Sequence, residues 1–277
     1  MLSRRKFIKQ TTTLSLASGL LAGFTFPPAK RLKLGVQLYT FREEMMKDPK
    51  GTLARIAGLG IKKIESAGSS KGYYYGLGPA EMKTTCRELG MKLVSGHVRL
   101  DDHWEKTMDD ASLSGQEYLI CSTMPSEGQT VDNYRRVAET FNKAGEKCRE
   151  RGIKFGYHNH EYEFESEQGQ VLYDLLLVHT DPDLVHMELD LGWVIVAGKD
   201  PLDYFKRFPG RFPLWHLKDM DMTLKQSTEF GKGGLDIPAM MAHRKDSGVE
   251  HIFIEQEEYE TSPLQSMRQN MDYMRGI

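Results

Sequence analysis

Gly156-Tyr157-His158-Asn159-His160-Glu161-Tyr162-Glu163-Phe164 follows a short apolar run, Ile153-Lys154-Phe155. An apolar run that turns abruptly polar reads as the C-terminal end of a β-strand spilling into a loop. Side chains on a strand alternate between faces. His158 and His160 are therefore expected on one face, with Glu161 and Glu163 just beyond. Three later stretches repeat the pattern: Glu188 and Asp190 in Val185–Leu191, His216 and Lys218 in Leu214–Asp219, and Glu255 and Glu257 in His251–Glu257. Buried charge is costly unless paired or metal-bound. Four strands that each end in a polar pair are thus expected to converge on a common centre.

Outward from this stretch, strand and helix patterns alternate with short connections from Leu32 to the C-terminus. Strand patterns end in Gln37, in Glu65 and in His97. Val131–Arg151 reads as a long helix behind Thr130 as N-cap, and Ile237–Asp246 as a single helix ending before Gly248. About eight such units in roughly 250 residues have the period and size of a (β/α)8 TIM barrel, an α/β fold whose catalytic groups stand at the C-terminal strand ends. A doubly wound open sheet would place a glycine-rich phosphate loop after its first strand. Here that strand runs into Gln37-Leu38-Tyr39-Thr40-Phe41 instead.

The chain has 277 residues and a formal net charge of −2, which gives no electrostatic footprint for nucleic acid. Cys86, Cys121 and Cys148 are an odd, scattered set, expected to be buried apolar residues rather than a disulfide framework. Ser3-Arg4-Arg5-Lys6-Phe7-Ile8-Lys9, followed by the moderately apolar run Thr13–Phe26, looks like a twin-arginine export signal. The expected organisation is a signal over residues 1–29 and one catalytic barrel over 30–277. The protein would be periplasmic, with no membrane span in the mature chain; the run is too short and too rich in Thr, Ser and Gly to cross a bilayer.

Asp190, His216 and Glu255, with one group from the His158 strand, make a mixed oxygen–nitrogen set. Such a set suits one divalent Mn, Mg, Co or Zn ion. A metal there would grip neighbouring sugar oxygens and stabilise the enediolate formed when a proton leaves the carbon beside a carbonyl.

Tyr157-His158-Asn159-His160-Glu161-Tyr162-Glu163-Phe164, Leu189-Asp190-Leu191-Gly192-Trp193, Trp215-His216-Leu217-Lys218-Asp219, Gly231-Lys232-Gly233-Gly234-Leu235-Asp236 and Ile254-Glu255-Gln256-Glu257 resemble the sugar phosphate isomerase/epimerase family. Its members are xylose-isomerase-like barrels, and the tyrosine–His-Asn-His form resembles an exported subgroup. The resemblance implies a metal held by Asp190, His216 and Glu255, which match three of the family's four ligand positions, with His158 as the fourth, or Glu161 or Glu163 reaching back. It implies a catalytic role for Glu255, His158 and Lys218, and substrate contacts from Glu65, His97, His160, Glu163, Trp193 and Glu257. The family usually carries a glutamate where this chain has His158, which puts simple epimerisation in doubt. Trp193 replaces a histidine common among relatives; it would stack on a sugar face or join the core.

The implied function is a metal-dependent sugar or keto-sugar isomerase or epimerase. The alternatives are a 3-keto-glycoside β-eliminating lyase or hydratase on the same site, or a sugar-binding barrel without activity. The implied partner is a small carbohydrate, with room for a homo-oligomer. Lys218, at the barrel mouth beside a dication, is expected to be partly desolvated and pushed towards its neutral form.

Overall fold

The computed structural model describes residues 34–277, so the expected export signal lies outside the described residues. Eight parallel strands close in sequence order into a barrel. They are β1 (Gly35–Gln37), β2 (Lys63–Ser66), β3 (Lys92–Val98), β4 (Tyr118–Cys121), β5 (Lys154–His158), β6 (Val185–Asp190), β7 (Leu214–Leu217) and β8 (His251–Ile254). β1 and β8 close the ring, with Gly35 opposite Phe253 and Val36 opposite Ile254. This is the (β/α)8 fold expected from the alternating pattern.

Parity along each strand sorts the side chains into two layers. Trp215 and Leu217 of β7, Ile252 and Ile254 of β8, and Val185, Met187 and Leu189 of β6 belong to the large core between barrel and helices. Val94, Tyr118, Ile120, Leu214 and Phe253 form a separate apolar cluster that fills the barrel itself. Two glycines make room for it. A Cβ on Gly35 would meet Phe253 Cδ1 at 2.5 Å, and one on Gly156 would meet Ile120 Cδ1 at 2.7 Å. Two residues further along these strands, the inward positions turn polar: His158 on β5, Glu188 on β6, His216 on β7 and, just past β8, Glu255. The apolar plug is the floor on which the polar centre stands.

The helix Val131–Glu150 has its expected cap, the Thr130 side chain accepting from Asn133 N. It buries Tyr134, Val137, Phe141 and Cys148 along one face. All three cysteines are free and buried. The expected helix Ile237–Asp246 is instead two, Ile237–Ala242 and Arg244–Ser247, separated at His243. Gly192 and Trp193 belong to the short helix Leu191–Val196, started by the Asp190 side chain accepting from Trp193 N.

A two-stranded hairpin, Asp219–Asp221 with Gln226–Thr228, rises beyond β7. Asp219 is fully buried behind it. Its carboxylate accepts from Met220 N and Leu235 N at 3.0 Å each, from Gly231 N at 2.9 Å and from Gly233 N at 3.1 Å. The glycine-rich loop is thereby fastened to the end of β7.

Candidate active site

Seven carboxylates and imidazoles from six strand ends meet above the apolar plug. Glu65 Oε1 lies 2.6 Å from His216 Nε2 and 3.3 Å from His97 Nε2, and accepts from Gln37 Nε2 at 2.9 Å. Glu188 Oε2 lies 2.7 Å from His97 Nε2, 3.2 Å from His216 Nε2 and 3.4 Å from His158 Nδ1. On its other side, His216 Nδ1 lies 3.0 Å from Glu255 Oε2 and 3.7 Å from Asp190 Oδ2. Lys218 Nζ completes the set, 3.1 Å from Glu255 Oε2, 3.6 Å from Asp190 Oδ2 and hydrogen-bonded to Glu257.

Burial sets the charges, and neighbours decide which way. Burial works against ionised Glu255, yet Lys218 and His216 hold its carboxyl well below the usual range. Burial likewise opposes a charged His216, but Glu188 and Glu255 raise it well above the ordinary imidazole value. His97 is raised to about 9, against burial, chiefly by Glu65. His158 goes the other way: burial, then the neighbouring His216 and His97, push it well below its ordinary value, so it stands neutral. Burial and Lys218 lower His160 to about 4. Lys218 does not follow the neutral form expected for it. It is 1% exposed, and although burial disfavours its charge, Glu255, Asp190 and Glu257 raise it above its ordinary value. Three carboxylates outweigh desolvation.

The donor atoms of His158, Asp190, His216 and Glu255 lie within 4.8 Å of one another. Asp190 Oδ2 and His158 Nδ1 are buried and make no hydrogen bond. Buried polar atoms without partners are rare in native proteins, and carboxylates and a neutral imidazole such as that of His158 are the forms that ligate, while His216 would give up its proton to an incoming cation. These residues therefore fit a divalent ion. Glu65 holds Nε2 of His216, which orients the ring and leaves Nδ1 facing Asp190 and Glu255. His158 and His216 also belong to an overlapping group with His97 and Glu188, whose donors lie within the same distance. Only the first group includes Glu255, which opens onto the cavity above together with Glu257.

That cavity has a volume of about 780 Å³. His97, His158, His160 and Trp193 all line it. Trp193 is on the wall rather than in the core, with Lys218 Nζ 4.6 Å above its ring centre. His160 is beyond the end of β5, its ring stacked on Tyr162 at 5.4 Å. Two residues named as substrate contacts do not reach the cavity wall. Glu65 is fully buried beneath the imidazoles. Glu163 is fully buried too, accepting from Tyr157 Oη and from His160 N at 2.8 Å. With Glu163 so held and Glu161 exposed, His158 is the β5 residue that joins the centre. Glu188, which the sequence pattern paired with Asp190 without giving it a role, bridges three histidines. Sequence reasoning passed over Tyr39, Tyr73 and Arg99 on the cavity wall, which lie outside the barrel strands, where strand parity says nothing.

The profile of the xylose isomerase-like TIM barrel family matches residues 53–277. A solved sugar phosphate isomerase/epimerase from Parabacteroides distasonis superposes with a TM-score of 0.77 at 28% identity, over 87% of this chain and 96% of that one. A second structure of that description from the same organism gives 0.79 at 24% identity, over 89% of this chain and 94% of the other. Inosose dehydratase from Lacticaseibacillus casei is 33% identical over 91 residues, 33% of this chain and 30% of that protein. The chain thus spans about a third of the length of the curated relatives it matches.

Proposed function

The chain belongs to the xylose isomerase-like TIM barrel family, and from that premise we propose that it removes the proton beside the carbonyl of a keto-sugar and then expels a neighbouring hydroxyl as water. The observation that carries this reading is the convergence of His158, Asp190, His216 and Glu255, from four different strand ends, at the floor of an open cavity. The relatives named dehydratase and isomerase/epimerase support it, since both reaction types begin by moving a proton beside a carbonyl.

His158, Asp190, His216 and Glu255 would hold one divalent metal, which when bound supplies Lewis-acid polarisation of the carbonyl. Glu255, kept ionised beside Lys218, is the carboxylate that accepts the proton and then passes it to the departing hydroxyl, which leaves as water. Lys218 holds a fixed positive charge 3.1 Å from it, where negative charge grows on the substrate oxygens. Trp193 offers a flat apolar face to the sugar ring. Glu65 and Gln37 keep His216 in place from below. The arrangement is one-sided, and this favours elimination over epimerisation. Epimerisation needs a second proton carrier on the opposite face, and the β5 carboxylate that would serve is replaced by His158, with Glu163 turned away into the core.

Incubating metal-loaded protein with inososes and ketohexoses in D₂O and following the mixture by NMR tests the reading. Deuterium beside the carbonyl, with an enone or its tautomer accumulating, is the expected result. A deuterated epimer without loss of water would overturn the elimination step. No exchange with any keto-sugar would overturn the reaction class.

A further inference from the structure

The wall of the large cavity is uneven in charge. Its carboxylates, Glu255 and Glu257, stand past the end of β8, where Lys218 already donates to both. The side built by the ends of β3 and β4 carries no acid and one arginine, Arg99. That residue follows β3 directly and lies two positions beyond His97, with which it shares the wall. Its backbone N donates to Tyr73 Oη at 3.2 Å. Burial raises the Tyr73 phenol above its ordinary value, while the amide and the charge of Arg99 pull it back, so the guanidinium stands near a second wall residue. Among the described residues that guanidinium makes no hydrogen bond or ion pair. Asp101, close by in sequence, is off the wall, its carboxylate accepting from His103 N at 2.8 Å. Arg42, Arg151, Arg207 and Arg211 all donate to carboxylates or carbonyls of the protein. Arg99 is thus a cation held at the cavity with nothing of the protein's own to pair with.

We infer that the Arg99 wall is a carboxylate subsite, and that the substrate is a keto-sugar acid whose carboxylate pairs with Arg99 while its ketone lies at Glu255. This rests on the keto-sugar reading above and narrows it. The planar guanidinium fork matches a carboxylate, which it holds through two parallel hydrogen bonds. Ser122 and Thr123, just past β4 on the same wall, add hydroxyls that bond no protein group among the described residues. The two sides of the cavity then orient the substrate. Glu255 and Glu257 repel an anion where Arg99 attracts it, which fixes the end presented for proton removal. A phosphate dianion fits this wall less well. No lysine and no second arginine lines the cavity, and the amides of Gly231 and Gly233 are already taken by Asp219.

Ligands that differ only at their last carbon test this: D-fructose, D-fructuronate and D-fructose 6-phosphate, titrated into the Zn²⁺-loaded protein and followed by ligand-observed NMR. Fructuronate should bind roughly tenfold to a hundredfold tighter than fructose, the worth of a charge-assisted hydrogen bond, and the phosphate should show a smaller gain. Because Arg99 is exposed, ~1 M salt should shrink the gain. Arg99→Gln should bring the affinities for fructuronate and fructose to within about twofold of each other. Arg99→Lys keeps the charge without the fork and should leave an intermediate ratio. Neither variant should melt lower than the wild type, because the guanidinium bonds nothing in the protein. Equal affinity of the wild type for fructose and fructuronate overturns this inference alone and leaves the keto-sugar reading standing. So does a preference for fructuronate that survives in Arg99→Gln, since the carboxylate then sits on the metal. A lower melting temperature in both variants would make Arg99 structural, and a larger gain from the phosphate would overturn the carboxylate assignment. Failure of all three ligands to bind would remove the carbohydrate reading, and this inference with it.

Discussion

Lys218→Met is the sharpest probe of the centre. Strand parity alone makes Lys218 a mouth residue, whose loss would leave stability untouched. In the structure it is the counter-ion of Glu255, Glu257 and Asp190, and only 1% of it is exposed. Removing one partner of a buried ion pair costs ~3–5 kcal/mol, because the charges left behind remain desolvated. For a domain of this size each kcal/mol shifts the melting temperature by ~2–4 °C, so a fall of roughly 6–20 °C is expected in the presence of a chelator. A divalent cation neutralises the same carboxylates, so adding Mn²⁺ should raise the variant's melting temperature by more than it raises that of the wild type. Turnover should drop by ~10²–10³, the usual effect of losing one preorganised donor. Differential scanning calorimetry with EDTA, then with Mn²⁺, reads both stability effects. A chelated variant that melts within ~2 °C of wild type would refute the argument, since Lys218 would then be a solvated lysine.

His216→Ala should lose most bound metal by elemental analysis, while circular dichroism of the remaining soluble protein still reports a barrel; unchanged metal content would break the ligand assignment. Glu163 gives a pH test, because burial raises its carboxyl from the ordinary 4.5 to about 7. Its folded value lies above its unfolded one, so this stability is full below about 4.5 and is lost as pH rises through about 7, a decline on the order of 3 kcal/mol. Glu163→Gln should remove that decline from the stability–pH curve, and parallel curves for the two proteins would count against it. For the export signal, Arg4→Lys with Arg5→Lys should trap the precursor inside the cell; normal recovery of the double variant from the periplasm would sink the proposal.

The barrel was legible because its apolar periods are strong and its strand ends turn polar together. Period alone placed Val131–Glu150 to within a residue. The strand ends ran long: His160, Lys218 and Gln256 were expected inside strands, but the hydrogen-bonded ladder stops at His158, Leu217 and Ile254. Mouth residues keep the strand's polarity after the backbone has left it. At the centre, parity gives the face on which a side chain stands but not its depth. Glu188, Asp190 and Lys218 were read as equivalent mouth groups, whereas Glu188 is below the cavity and Lys218 is sealed by three acids. Glu65 and His216 meet across 151 residues of sequence, and only closure of the barrel brings them together.

Gly231-Lys232-Gly233-Gly234 has the composition of a loop that wraps a phosphate in backbone amides. Here the anion is supplied from within, since Asp219 already collects the amides of Gly231, Gly233, Leu235 and Met220. A Cβ on Gly233 would fall 2.2 Å from Asp219 Oδ1, so the glycine is there to let a carboxylate in. The loop is in effect a nest with a resident occupant. A phosphorylated substrate would find those amides closed to it, and the same closure keeps the roof over β7 rigid whether or not anything is bound below.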